Sequence, residues 1–182
     1  LVAFKIPNFM RRLFAEGAFA QAFVPVLTEY KTTKELADVK ALVDRVAGSL
    51  TVILGGLSFF AVIASPAIIF IFAPGFRTDA FKFDLAADML RLTFPYLLLI
   101  SLTAFAGGIL NTYGRFAVSS FTPVLLNITL IACALFLAPL LEQPIMALAW
   151  GVMFAGLLQL AFQIPALMNL HLLPRPKVDF KD

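Results

Sequence analysis

Charged residues in this chain are gathered into a few short stretches, with long apolar runs between them. No Asp, Glu, Lys or Arg occurs over the 31 positions Val46–Phe76, the 23 of Leu92–Gly114, the 26 of Phe116–Leu141 or the 32 of Gln143–Pro174. About 20 apolar residues carry a helix across a hydrocarbon core about 30 Å thick. Four unbroken runs of that length predict an all-α, polytopic transmembrane helix bundle. Bounding each apolar run by its charged or turn-forming flanks predicts five helices, over about 6–30, 36–73, 82–113, 118–140 and 145–170. They are read as one transmembrane domain covering 1–182. Pro25 near the end of the first helix is an expected kink, and Pro95 lies early in the third. Two amphipathic polar stretches, KTTKELADVKALVDRV (31–46) and RTDAFKFDLAADMLR (77–91), lead into the second and third helices. Leu36, Val39, Val43 and Val46 recur at helical intervals, so the second helix starts near Glu35, in water or among headgroups.

Composition strengthens this picture. The chain is 61% hydrophobic and 14% charged, with a mean hydropathy of +0.94, whereas soluble domains carry roughly 25% charged residues. A net charge of +3, with no basic run interleaved with aromatics, argues against a nucleic-acid partner. Cys133 is the only cysteine and sits inside an apolar run, so no disulfide or thiolate metal site is expected. It reads as a small buried or lipid-facing hydrophobe. His171 lies near a helix end without a neighbouring carboxylate or second histidine, which makes it interfacial rather than a metal ligand. The chain opens on Leu1, inside the apolar phrase LVAFKIPNF and without a signal-peptide pattern, and is therefore expected to be a piece of a longer protein.

Five spans place the polar links on alternating sides. Residues 29–45, Arg115 and the tail share one side and carry eight Lys/Arg, against six on the other. Setting aside Arg11 and Arg12 as intramembrane leaves four there. The positive-inside rule then assigns residues 29–45 and the tail to the cytoplasm.

The first predicted helix, PNFMRRLFAEGAFAQAFVPVL (7–27), holds Arg11, Arg12 and Glu16 within an apolar span. Ionised groups inside a bilayer are costly and normally face a protein interior or a watery cavity. At 100° per residue, Lys5, Asn8, Arg12 and Glu16 fall within an arc of about 80°. Arg12 and Glu16 are spaced to pair, while Arg11 points about 100° away and needs a partner elsewhere or an anionic ligand. The simpler reading has both arginines snorkelling to headgroups. Glu16 opposes it, because a short side chain reaches the interface poorly, and the small residues around it suit helix packing. Gly107, Gly108, Asn111 and Asn127 put backbone-exposing and amide groups inside other apolar helices. Asn8, Asn111 and Asn127 are thus cavity-lining or helix-packing polar groups, with interhelical hydrogen bonding the plainer role. Gln159 and Gln163 form another i,i+4 polar pair, read as structural.

Several phrases carry a more specific signal. KIPNFMRRLFAEGAFAQAFVPVLTEY, APGF, LRLTFPYLLLISL, GGILNTYGRFAVSSFTPVLLNI and ALAWGVMFAGLLQL resemble, collinearly, the MurJ/MviN family of bacterial lipid II flippases. The resemblance implies a fourteen-helix, two-lobe fold of the MOP exporter superfamily, of which this chain would supply the second to sixth helices of the amino-terminal lobe. It implies alternating-access transport of the lipid-linked peptidoglycan precursor from the cytoplasmic to the periplasmic leaflet of the inner membrane, and no enzyme. By the same resemblance Arg11 and Arg12 match the family's arginine pair and Glu16 the acidic residue after it, bordering a cationic cavity. On that match Arg11, then Arg12, is assigned to the lipid II diphosphate, which guanidinium groups can hold bidentately, with Glu16 orienting an arginine or tuning the field of the cavity. The expected partners are lipid II, membrane lipids and the missing helices. No cofactor is expected in this piece, and coupling to an ion or to the membrane potential would run through parts of the protein outside it.

Two other readings compete. One is a drug or polysaccharide exporter of the same superfamily, for which the arginine pair is less expected. The other is a membrane enzyme acting on a lipid phosphate, with Asp79, Asp84 and Asp88 holding Mg²⁺. Interleaved Lys82 and Arg91 make those carboxylates look like a solvated helix face.

Overall fold

The computed structural model describes residues 18–73, 75 and 79–176, with side chains from Ala22 onwards. Asn8, Arg11, Arg12 and Glu16 lie outside the described residues. Within them the chain is helical throughout, with no strand: α1 (Ala18–Thr33), α2 (Leu36–Ile63), α3 (Ser65–Phe72), α4 (Ala80–Thr93), α5 (Tyr96–Thr112), α6 (Phe116–Ala132) and α7 (Met146–Asn169). A π turn at Cys133–Leu137 and a 3-10 turn at Ala138–Leu140 extend α6. Four stretches are long and apolar enough to cross a membrane: Leu36–Ile63, Ala80–Thr112, Phe116–Leu140 and Met146–Asn169.

Two of the expected helices are broken. The helix expected over 36–73 stops at Ile63, and α3 restarts with Pro66 in its first turn, where a missing N–H costs least. The break is tight, because the Ala64 N–H still donates to Phe60 O at 2.8 Å. The helix expected over 82–113 begins at Ala80 and is interrupted at Phe94–Pro95. Pro95 has no N–H for the carbonyl of Arg91, and the Ser58 hydroxyl of α2 donates to Phe94 O at 3.4 Å. The kink is thereby tied to a neighbouring helix.

α5 and α7 sit at the centre of the bundle. α7 packs along both α5 and α6, and α5 also meets α1 and α2. Close approach is built from glycine. A Cβ at Gly156 would come within 2.8 Å of Tyr96 Cδ2 and 3.0 Å of Leu99 on α5. At Gly151 it would come within 3.0 Å of Leu130 and 3.2 Å of Cys133. Small residues at such crossings let helix backbones pack closely in lipid. Cys133 is buried at this contact. One apolar core joins Phe23 and Leu27 of α1, Val39 and Val43 of α2 and Phe105 and Leu110 of α5. A second joins Leu54, Ile69, Leu90 and Leu97. The outer surface is apolar too: Phe59, Phe60, Leu135 and Phe136 are exposed, Phe136 by 75%. An apolar coat on helices of spanning length is what a bilayer, not water, accepts.

The end that carries Lys31, Asp44, Arg115 and Arg175 is tied together by polar contacts. Lys31 Nζ donates to the Thr112 carbonyl at 2.7 Å, and lies 4.7 Å from the centre of the Tyr113 ring. It thus satisfies an orphan carbonyl at the negative end of α5. α7 ends with His171 in the left-handed region at φ 56°, while Leu172 N bonds Leu167 O at 3.0 Å and His171 N bonds Met168 O at 2.9 Å. This pair of bonds is a Schellman cap. It turns the chain back so that Leu172 is buried in the first core. The returning strap is held by Asp44, whose Oδ1 accepts the Arg175 N–H at 2.7 Å and also the Lys40 ammonium. Of the expected apolar face of α2, Val39 and Val43 are buried whereas Leu36 is exposed. Asp44 is buried beside them.

Candidate functional site

Polar groups inside the apolar helices converge on one cavity. It has a volume of about 410 Å³ and lies among α5, α6 and α7, with Val24 of α1 at its edge. α5 contributes Thr103, Gly107 and Asn111 at i, i+4, i+8, a single helical stripe. α7 contributes Gln159 and Gln163, one turn apart.

The α6 wall is shaped by Pro123. Proline has no N–H for the carbonyl four residues back, and the hydroxyl of Thr122 donates to that carbonyl, Ser119 O. Ser119 Oγ in turn donates to Asn111 Oδ1, which joins α5 to α6 at the cavity rim. Across the cavity Gln159 Nε2 donates to the Thr122 carbonyl at 2.8 Å. That bond commits the amide nitrogen and leaves Gln159 Oε1 as the other polar atom of the amide. It has no hydrogen-bond partner among the described residues, nor do Gln163 Oε1 and Thr103 Oγ1. Gln159 is 2% exposed and Gln163 1%. The Gln163 carbonyl lies 4.0 Å from where a Gly107 Cβ would stand. A buried acceptor without a donor is costly, and more so in hydrocarbon, where water does not compensate it.

Each polar residue singled out from the sequence can be placed where it is described. Asn111 lines the cavity and bonds α6, combining the two roles open to it. Asn127 is exposed on α6 and stands apart from the cavity lining. Gln159 and Gln163 are brought together on the cavity wall, with both carbonyls unpartnered. Sequence reasoning passed over Thr103 and Thr122. The Thr103–Gly107–Asn111 periodicity and the Thr-Pro step were the available signals.

The carboxylates behind the enzyme reading have local duties. Asp79 caps α4 by accepting the Lys82 N–H at 3.1 Å and pairs with Lys82 Nζ at 2.7 Å. The Lys82 side chain, then its backbone N–H, holds the Asp79 carboxyl below the usual carboxylate range. Asp88 pairs with Arg91 at 2.8 Å, and Asp84 is exposed. No group of metal-ligating side chains occurs among the described residues.

The family model described as lipid II flippase MurJ matches residues 1–182. This chain belongs to the MurJ family. A probable lipid II flippase MurJ from Vibrio cholerae is 49% identical over 98% of this chain and 35% of the relative. The lipid II flippase MurJ of Burkholderia cenocepacia is 46% identical over 95% of the chain and 34% of the relative. A solved structure of lipid II flippase MurJ in an inward closed conformation superposes with a TM-score of 0.76. It is 27% identical and covers 99% of this chain and 36% of that one. The chain therefore spans about a third of the length of the curated relatives it matches. The resemblance read from the motifs and the all-α membrane fold class both hold, and the chain is a multi-pass membrane protein.

Proposed function

We propose that this chain forms part of the amino-terminal lobe of a MurJ-type transporter, which moves lipid II from the cytoplasmic to the periplasmic leaflet of the bacterial inner membrane by alternating access. The match of the MurJ family model to every residue of the chain carries this reading. The curated relatives from Vibrio cholerae, Haemophilus influenzae and Burkholderia cenocepacia, 46–49% identical, bear the flippase name. The protein acts as a transporter, not an enzyme. Residues 29–45 and the tail lie in the cytoplasm, in keeping with the Lys/Arg excess on that side. Ion or membrane-potential coupling runs through the remaining two-thirds of the family's length, along with the rest of the two-lobe fold.

Arg11 holds the diphosphate, Arg12 supports it, and Glu16 orients an arginine or tunes the field of the cavity. The physics favours arginine here, because its planar fork donates two parallel hydrogen bonds to one phosphate group. Replacement Arg11→Ala in the intact protein should abolish growth of cells that depend on it, while the protein still inserts in the membrane. Arg11→Lys keeps the charge but loses the fork, and should recover only part of the function. Normal growth on the alanine variant would remove Arg11 from the ligand site.

A further inference from the structure

We infer that the groove between α6 and α7 binds an anionic phospholipid of the surrounding leaflet, with its phosphate on Arg115 and an acyl chain between the two helices. The site is separate from the arginines assigned to the transported lipid. It stands on the membrane fold and does not depend on what the protein transports.

Three observations lead to it. First, the groove is polar at one end and apolar beyond. It has a volume of about 410 Å³ and is lined by Arg115 and Val118 on one side and by Phe162, Pro165, Ala166 and Asn169 of α7 on the other. α6 begins where α7 ends, so Arg115 and Asn169 stand together at one end of the bundle. From there the lining runs back along α7 to Phe162, a rise of about 10 Å. Second, Arg115 is exposed, and its guanidinium takes no hydrogen bond or ion pair among the described residues. Lys31 at the same end is instead committed to the Thr112 carbonyl, and Arg91 of α4 to Asp88. Neither α6 nor α7 carries an Asp or Glu, so neither wall of the groove repels an anion. Third, the groove lies on the apolar coat. Phe162 is 40% exposed, and it packs on Phe121 of α6 with ring centres 5.6 Å apart. A small soluble anion finds no partner on such a wall, whereas an acyl chain packs along it. A guanidinium donates two parallel hydrogen bonds to one phosphate group, and basic pockets between spanning helices attract anionic head groups. Phosphatidylglycerol, with one phosphate and no cation of its own, is the complement. Phosphatidylcholine carries an ammonium that opposes Arg115.

The test counts the lipids that the intact protein retains in native mass spectrometry after release from nanodiscs of equal phosphatidylglycerol and phosphatidylcholine. The unaltered protein should retain phosphatidylglycerol in preference. Arg115→Gln should lower the retained ratio of phosphatidylglycerol to phosphatidylcholine by roughly fivefold, the scale of one cation at a membrane surface. Arg115→Lys keeps the charge and should lower it less. Arg91→Gln removes an arginine outside the groove and should leave the ratio within about twofold. Glycerophosphoglycerol, the same head group without chains, should not displace the lipid at equal concentration. An unchanged ratio in Arg115→Gln would overturn the site, as would an equal fall in Arg91→Gln, which would make the preference one of overall charge. No preference in the unaltered protein would also overturn it, as expected if another helix of the intact protein covers the groove. Displacement by glycerophosphoglycerol would replace the lipid with a bare anion. Displacement by added lipid II, one molecule for one, would give the groove to the transported lipid instead.

Discussion

Two sets of buried polar side chains sit in this bundle, and their surroundings are opposite. Asp44, 3% exposed, has a partner on both sides: the Lys40 ammonium one turn before it and the Arg175 backbone N–H at 2.7 Å. Gln159 and Gln163 are buried as deeply, yet their carbonyl oxygens accept nothing among the described residues. Burial alone does not distinguish the two sets, but satisfaction does. A polar group whose bonds are all made within the fold contributes to holding that fold. One buried with an open valence is poorly explained by stability, since an apolar residue of like shape would serve better. The contrast assigns Asp44 to architecture and leaves the two glutamine carbonyls without a partner among the described residues.

The largest effect should come from breaking the satisfied set. Asp44→Ala strands the Arg175 N–H and removes the partner of Lys40, which should cost about 2–3 kcal/mol, the scale of a lost hydrogen bond to a charged acceptor plus a stranded donor. The thermal midpoint of the purified intact protein should fall clearly. Limited proteolysis should cut the strap around Leu172–Pro176 faster, because that segment is held by Asp44 and by Leu172 in the core. Asp44→Asn keeps an acceptor oxygen for the N–H and should lose less. If the alanine variant were as stable as the parent, the strap would owe its place to Leu172 alone.

Replacing Gln159 by leucine should do much less to stability, within about 1 kcal/mol in either direction. The substitution deletes the 2.8 Å bond to the Thr122 carbonyl, but removes the unpartnered Oε1 at the same time. These terms oppose each other. A thermal midpoint close to the parent's would sharpen the contrast with Asp44. A collapse as large as that of Asp44→Ala would erase it and make Gln159 an architectural residue.

The two sets were also unequally legible in the sequence. Four charge-free runs show the spanning helices plainly, because a bilayer imposes length and apolarity on the chain itself. The break at Ala64 is easily missed, since Ser65 and Pro66 sit inside a long run without charge. Gln159, Gln163 and Asn111 stand out as amides in apolar helices, whereas Thr103 and Thr122 do not. A hydroxyl in a helix commonly bonds its own preceding turn, so its sequence position does not reveal whether it serves the helix or a cavity. Asp44 was the least visible of all. In KTTKELADVKALVDRV it reads as one more charge on a wet face, and its partner Arg175 lies 131 residues further along. Only the fold brings the two together.

The smallest predicted effect concerns how the strap reaches Asp44. The turn out of α7 places His171 at φ 56°, a region where a side chain is disfavoured by roughly 1–2 kcal/mol and glycine is not. The comparable turn after α5 uses Gly114 at φ 73°, with Arg115 N bonding Leu110 O at 2.8 Å as Leu172 N bonds Leu167 O. His171 is exposed and takes no side-chain hydrogen bond among those described, so the strain has no evident return. His171→Gly should relieve it, while glycine's greater freedom in the unfolded chain takes part of the gain back. The net should be a stabilisation of at most about 1 kcal/mol, seen as a small rise in thermal midpoint with the proteolysis pattern of the strap unchanged. A fall in the midpoint would mean that the imidazole itself supports the turn. The strap would then depend on a side-chain contact as well as on Asp44 and Leu172, and the satisfied end of the molecule would be larger than the described bonds make it.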